Sequence, residues 1–299
     1  MNVFSCDDLI VNLPAKHRFP MRKYSLLRKA VTNLTDVEIK RAWRPDRIAL
    51  EKVHSKIYVG KVFEGELSRK EIERVGFPWS NALVERSLYS VGSTIAAAFD
   101  AMQNGISCSL AGGTHHAGRD FGEGFCVFND IAVAVSLLRD HYPNIRILIV
   151  DTDVHQGNGT ADLLKSLDRV FTLSLHSARN YPHEKKHSNI DVSFPDNTED
   201  YDYLAMFSDA LEQAVECSNP DFVFFLAGAD IYKGDRLGRL DISKEGIRAR
   251  DRLFFSTFNS LKIKIAVVMG GGYAPCLGDI VDIHLSTVHT AATALRKRH

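Results

Sequence analysis

Asp151, Asp153 and His155 recur at every second position, and in an extended segment leaving a strand that spacing turns the side chains to one side. Groups so placed can address one centre. A carboxylate and an imidazole from this segment, completed by a second carboxylate such as Asp230, make three ligands and leave a position for water, as in a catalytic metal site. Oxygen and nitrogen donors suit zinc and equally admit ferrous iron, and the lack of thiolates argues against a structural zinc site. The plain alternative is a set of solvated strand-end acids with a surface histidine. Against it, Gly157-Asn158-Gly159-Thr160 reads as a tight turn entering a helix, which would hold the acidic segment rigid.

The tandem His115 and His116 follow Gly112-Gly113, where the chain can turn closely and present both imidazoles to a pocket. A metal lowers the pKa of its water, and either histidine could take that proton and later return one to a leaving amine. Tyr273 follows Gly270, Gly271 and Gly272, a loop able to approach closely or swing a phenol in as hydrogen-bond donor to a developing oxyanion. By themselves a histidine pair suits a surface turn and the tyrosine a half-buried position beside a glycine turn. In Gly122-Glu123-Gly124-Phe125-Cys126-Val127-Phe128, aromatics among glycines suit either a narrow apolar slot for a lysine stem or plain core.

These residues need a scaffold that brings them together. Helical patterns over Ser80–Gln103, Ile131–Leu138, Thr160–Leu167, Tyr201–Cys217, Ser243–Phe258 and Ile280–Arg298 alternate with apolar strand-like runs at Ile106–Leu110, Ile145–Val150, Val170–Leu175, Phe222–Leu226 and Ile263–Met269. Near-continuous apolar strands between helices predict an α/β three-layer sandwich on a mainly parallel central sheet. Such sheets carry their sites beyond the carboxyl ends of the strands, and each chemistry-bearing group above follows a strand. Four strand ends are thus expected to line one pocket. The first 75 residues show no comparable pattern.

A chain of 299 residues, 45% hydrophobic, can bury a large core, and no repeat, low-complexity tract or linker divides it, so one catalytic domain over residues 1–299 is expected. Lys+Arg and Asp+Glu both number 37, which leaves no basic field to hold nucleic acid. No run reaches the roughly 18 apolar residues of a membrane span, and Asp7 and Asp8 stand where a signal peptide would be basic. Scattered Cys6, Cys108, Cys126, Cys217 and Cys276 suit buried free thiols in a reducing compartment, and a cytoplasmic location is expected.

The runs GGTHHAGRDFGEGFCVFND, DTDVHQGNGT, AGADIYKGDRLG and GGGYA, in this order, resemble the histone deacetylase superfamily from about His17 to the last helix. The HQGNGT and GDRLG wording is most similar to the class IV branch, that of histone deacetylase 11 and its bacterial relatives. The resemblance implies an arginase/deacetylase-like fold, a zinc on Asp153, His155 and Asp230, His116 as general base and acid with His115 as electrostatic partner, and Tyr273 as carbonyl-polarising donor. It further implies substrate contacts at Gly124, Phe125, Tyr181, Gly271 and Gly272. Asp151 would orient His115 and share a structural potassium or sodium site with Asp153, His155, Ser174 and Leu175. Asn158 stands where class I enzymes have an aspartate beside the second histidine. An amide stabilises imidazolium less than a carboxylate does, so His116 is expected to titrate lower.

The activity implied is hydrolysis of an acetyl or longer fatty acyl group from the lysine of a protein or peptide. A long chain would need an apolar path past the metal, walled by Cys108, Cys126 or residues of Phe19 to Tyr24. Small acylated amines such as polyamines are the alternative substrate, favoured if Asp120, Glu123 or Asp235 rims the entrance. A non-catalytic metal-stabilised binding protein would lack one of these groups, and none is missing here. Oligomeric state has no signature in the sequence.

Overall fold

The computed structural model describes residues 1–298. Its strands are β1 (Asn2–Ser5), β2 (Glu38–Arg41), β3 (Ile106–Ser109), β4 (Ile147–Asp151), β5 (Val170–Ser177), β6 (Ile190–Phe194), β7 (Phe222–Ala227) and β8 (Lys264–Met269). The helices are α1 (Lys23–Val31), α2 (Arg47–Glu51), α3 (Lys56–Glu64), α4 (Arg69–Val75), α5 (Asn81–Asn104), α6 (Asp130–His141), α7 (Asn158–Leu164), α8 (Asp200–Ser218), α9 (Lys244–Ser260) and α10 (Leu277–Arg296). All strands join one sheet in the order β2-β1-β3-β8-β7-β4-β5-β6, and every pairing is parallel.

Strand alternation divides the core into two layers. Val150, Val223, Phe225, Ile265 and Val267 face α1, α8, α9 and α10, whereas Ile149, Phe222, Phe224, Ala266 and Val268 face α2 to α7. The central strands are buried on both faces, which accounts for their unbroken apolar runs. Punctuation follows residue chemistry. Ser80 Oγ caps the amide of Leu83 at 3.1 Å to start α5, and Asn129 Oδ1 caps Ala132 at 2.9 Å to start α6.

Chain order and sheet order differ in a way that builds a crevice. The chain passes from β3 to β4 across a gap that β7 and β8 later fill, so β3, β8, β7 and β4 become consecutive neighbours. In register, Ser109 lies opposite Val268, Ala227 opposite Met269, and Asp151 opposite Leu226. Their carboxyl ends share one edge, at the kind of switch point where α/β sheets bind ligands.

The amino-terminal stretch supplies two short strands, β1 and β2, that pair parallel beside β3. Neither NVFS nor EIKR carries enough residues to show a period. Cys6, Cys108 and Cys126 are buried free thiols as expected, but Cys217 and Cys276 are exposed, on the outer face of α8 and just before α10.

Candidate active site

Asp153, His155 and Asp230 converge at the carboxyl ends of β4 and β7, with donor atoms all within 4.8 Å of one another. His155 Nδ1 lies 2.9 Å from Asp153 Oδ1 and 3.2 Å from Asp230 Oδ2. Backbone amides hold the other carboxylate oxygens, Gly271 N donating to Asp153 Oδ2 at 2.6 Å and Val154 N to Asp230 Oδ1 at 3.0 Å. Two fixed carboxylates and one imidazole form a donor set that fits a divalent cation of the zinc or ferrous type. Burial disfavours charge on His155, but Asp153 and Asp230 outweigh it and raise its pKa to about 10. The Asp230 carboxyl is pushed up by burial and then by Asp153 facing it.

Asp151 departs from the spacing-of-two reading. The chain bends after β4, and Asp151 turns away from the triad to accept from His115 Nδ1 at 2.7 Å and from Asp153 N at 3.1 Å. β4–β5 pairing sets it opposite Ser174, with Leu175 the next residue of β5.

The loop after β3 carries the histidines. Asp130, at the start of α6, pins it by accepting from Gly113 N at 3.0 Å and Thr114 N at 2.7 Å. Asn129 Nδ2 donates to Ala117 O at 3.2 Å and to Thr160 Oγ1 at 3.0 Å, tying this loop to α7. Both close the GEGFCVFND run without a role assigned from sequence; the signal for one is their polarity directly ahead of an apolar helix. His115 and His116 pack with ring centroids 4.1 Å apart and planes tilted by 49°. His116 Nδ1 lies 2.7 Å from Asn158 Oδ1, and Asn158 Nδ2 donates to Glu123 Oε1 at 2.6 Å. Burial lowers both imidazoles, but Asp151 and Asp153 override it at His115 and raise that ring to about 9. At His116 the positive charge of His115 and His155 adds to burial, holding the pKa well below the ordinary imidazole value.

A cavity of about 300 Å³ opens over these groups, lined by His116, Gly124, Phe125, His155, Tyr181, Leu237 and Tyr273. The Tyr181 ring stands perpendicular to His116 at 5.0 Å, and Tyr273 meets His155 edge-on at 6.2 Å. Gly124 has φ +55°, and a β-carbon there would lie 2.6 Å from His116 Cδ2, so only glycine admits the imidazole this close to the wall. Gly271 and Gly272 are instead buried behind the triad. A β-carbon at Gly271 would overlap the Asp230 carboxylate, and one at Gly272 would lie 2.8 Å from Ile280 Cγ2.

Of the three acids that could have rimmed the entrance, Asp120 is exposed but does not line the cavity, and Glu123 and Asp235 turn inward. Glu123 is 5% exposed and paired with Arg74 at 2.8 Å, while Asp235 accepts the amides of Tyr273 at 2.5 Å and Leu237 at 2.8 Å. The charged groups at the cavity mouth are Arg18, Arg74 and Glu73. Phe128 and Phe77 are core, and Trp79 anchors its loop by donating to Val62 O at 2.8 Å. Cys108 lies within β3, its Sγ against Met1 Sδ at 3.9 Å and away from the cavity, and a void of about 50 Å³ lies behind Phe125 among Phe19, Met21 and Tyr24.

Residues 16–288 match the family model described as histone deacetylase domain. An uncharacterised protein of Picosynechococcus sp. is 40% identical over 288 residues, covering 95% of this chain and 96% of its own. Histone deacetylase 2 of Arabidopsis thaliana is 31% identical, over 90% of this chain and 73% of its own. Among solved structures, a histone deacetylase homologue from Aquifex aeolicus superposes with TM-score 0.82 at 22% identity, covering 97% of this chain and 83% of its own. The HD domain of HDA15 does so with TM-score 0.83 at 21% identity, covering 100% and 93%. At those identities the superpositions speak for the fold alone.

Proposed function

The chain belongs to the histone deacetylase family, and from that premise we propose that it is a zinc-dependent hydrolase removing an acetyl group from a lysine side-chain amide. The observation that carries the proposal is the meeting of Asp153, His155 and Asp230 with His116 and Tyr273 around one narrow cavity. Asp153, His155 and Asp230 would hold the ion, zinc by preference and ferrous iron as the alternative. When bound, the ion supplies a water acidified toward neutrality and a positive centre for the acyl oxygen.

The protein's own groups do the rest. The aliphatic stem of the lysine lies between Phe125 and Tyr181, whose rings exclude water from the amide. His116 Nε2 takes the proton of the attacking water and later delivers one to the departing amine. The Tyr273 hydroxyl donates to the acyl oxygen as it gains charge. Its phenol is held neutral, pushed well up by burial and by Asp153 and Asp230, so the proton remains available for that bond. His115, held by Asp151, keeps a fixed positive charge beside His116. A potassium or sodium ion near Asp151, with Asp153, His155, Ser174 and Leu175, would steady the same strand end.

The mouth favours a peptide over a polyamine, because Glu123 and Asp235 face inward and two of its three charged groups are arginines. The void behind Phe125 favours a short acyl group, since a fatty chain would have to displace that ring. The HQGNGT and GDRLG wording supports the class IV branch. The test is hydrolysis of lysine peptides bearing acetyl, octanoyl or myristoyl groups by zinc-loaded protein, with His116→Ala and Tyr273→Phe as controls. Turnover highest for acetyl and lost in both variants is expected. Faster myristoyl removal would overturn the chain-length reading, and no turnover of any peptide would overturn the lysine reading.

A further inference from the structure

Glu123 is a buried carboxylate with no place in the reaction described so far. It stands in the turn that carries Gly124 and Phe125, fixed by Glu123 N to Cys126 O at 3.0 Å and Cys126 N to Glu123 O at 2.9 Å. Its Oε2 accepts from Arg74 Nε at 2.8 Å, and the Arg74 guanidinium lies 3.6 Å from the Phe121 ring centroid. The other oxygen, Oε1, takes the Asn158 amide at 2.6 Å.

A side-chain amide has one accepting end and one donating end, whereas an ionised carboxylate can only accept. Glu123 therefore admits a single orientation of Asn158. With Nδ2 committed to Glu123, Oδ1 must face His116, and His116 must carry its neutral-state proton on Nδ1, 2.7 Å away. Nε2 is left with its lone pair. Were Asn158 reversed, Oδ1 would lie against the Glu123 carboxylate and the Asn158 amino group against His116 Nδ1, leaving the proton on Nε2.

We propose that Glu123 is a positioning residue that acts through Asn158 to fix the tautomer of His116 and, one amide removed, supplies the negative charge facing that imidazole when it holds a proton. The proposal rests on the reading of His116 as the base. Arg74 keeps the carboxylate aimed, its Nε donating to Oε2. The chain thus has its carboxylate one residue further out than an aspartate at position 158 would provide.

This arrangement has a consequence that simple support of the fold does not share. Asn158→Asp would bring two carboxylates together where an amide now bridges at 2.6 Å, so this change is harmful by itself. Glu123→Gln removes the acceptor-only partner, because glutamine can face Asn158 with either end. Combined, the two changes fit: the introduced glutamine amide can donate to the introduced aspartate carboxylate, which accepts directly from His116.

The four zinc-loaded proteins, unchanged, Glu123→Gln, Asn158→Asp and the double variant, would be compared on an acetyl-lysine peptide. Each single variant should lose about 10- to 100-fold in kcat, as outer-shell partners of such sites do, with zinc content kept and KM changed less than about threefold. The double variant should return to within a few-fold of the unchanged protein. Losses that multiply in the double variant would overturn the proposal. Nitrogen-15 imidazole spectra, with His116 assigned by its loss in His116→Ala, report the tautomer without any substrate. The unchanged protein should show a protonated Nδ1 and a bare Nε2, and Glu123→Gln a mixture. An unaltered His116 signal in Glu123→Gln would sink the role of Glu123, whereas the expected spectra with no hydrolysis would sink only the assigned reaction.

Discussion

His115 and His116 sit at the same buried strand end yet titrate in opposite directions, and the reason lies in what each ring's outer nitrogen meets. Asp151, with Asp153 behind it, makes His115 a lasting cation, while Asn158 offers His116 only an amide and the neighbouring cations repel a further proton. His116 is therefore the ring able to accept a proton at neutral pH, and its removal in His116→Ala should lower kcat by about 10²- to 10⁴-fold. Tyr273→Phe removes one donor from the acyl oxygen and should cost about 10²- to 10³-fold in kcat with little change in KM. Steady-state kinetics in which either variant raised KM and left kcat unchanged would contradict these roles. Most of these residues could be read from sequence because metal and proton chemistry admits few side-chain types and the strand ends put them at fixed spacings. Glu123 could not be read, since its meaning depends on Asn158, 35 positions away, and an isolated acid between glycines looks like an exposed one.

The elements around the site work as clamps, and several of their contacts depend on neutral buried histidines. His54, in the turn between α2 and α3, donates from Nδ1 to Gly118 O at 2.8 Å and accepts Asn129 N at Nε2 at 3.0 Å, joining that turn to the loop before α6. Burial lowers its pKa to about 4, against a partly opposing hydrogen bond to Gly118. His176 is likewise lowered to about 4, mainly by burial. Unfolded histidines bind protons near pH 6.5 but these native ones do not, so stability is full above that pH and falls as the pH drops toward 4. By the usual 1.36 kcal/mol per pKa unit, each ring accounts for roughly 3 kcal/mol across that window. His54→Gln should lower Tm slightly at pH 7 yet narrow the Tm difference between pH 7 and pH 5, as measured by calorimetry; an unchanged difference would refute the assignment. Gly271→Ala acts on the neighbouring strand end, where its β-carbon would push the Asp230 carboxylate off the centre. It should weaken zinc binding about 10- to 100-fold in a chelator competition while leaving the far-ultraviolet spectrum intact. Strand and helix alternation from α5 onward was legible because those strands are buried on both faces. β1, β2 and β6 were not, being short elements at or next to the sheet's edges whose residues are partly exposed.

For the molecule as a whole, the proposed metal and a proton would compete for one centre between β4, β7 and β8. Without metal, the raised pKa of His155, about 10, means that this ring carries a proton between Asp153 and Asp230 at neutral pH. That ion pairing stabilises the metal-free fold fully below the unfolded histidine value near 6.5 and is lost as pH rises through about 10. Zinc bound as proposed would have to expel the proton, so its affinity should fall about tenfold for each pH unit of acidification, and binding should release at least one proton. The two effects reinforce each other, and the stabilisation that zinc confers should grow steadily from pH 6 to pH 8. At a free zinc concentration of 100 times Kd the gain is about 2.7 kcal/mol, and at that level Tm should rise several degrees. Titration calorimetry in two buffers of different ionisation enthalpy counts the released protons, and melting curves with and without chelator across the same pH range measure the gain. A zinc-induced Tm shift independent of pH, with no buffer dependence of the binding heat, would mean that His155 is not the ligand that the proton occupies.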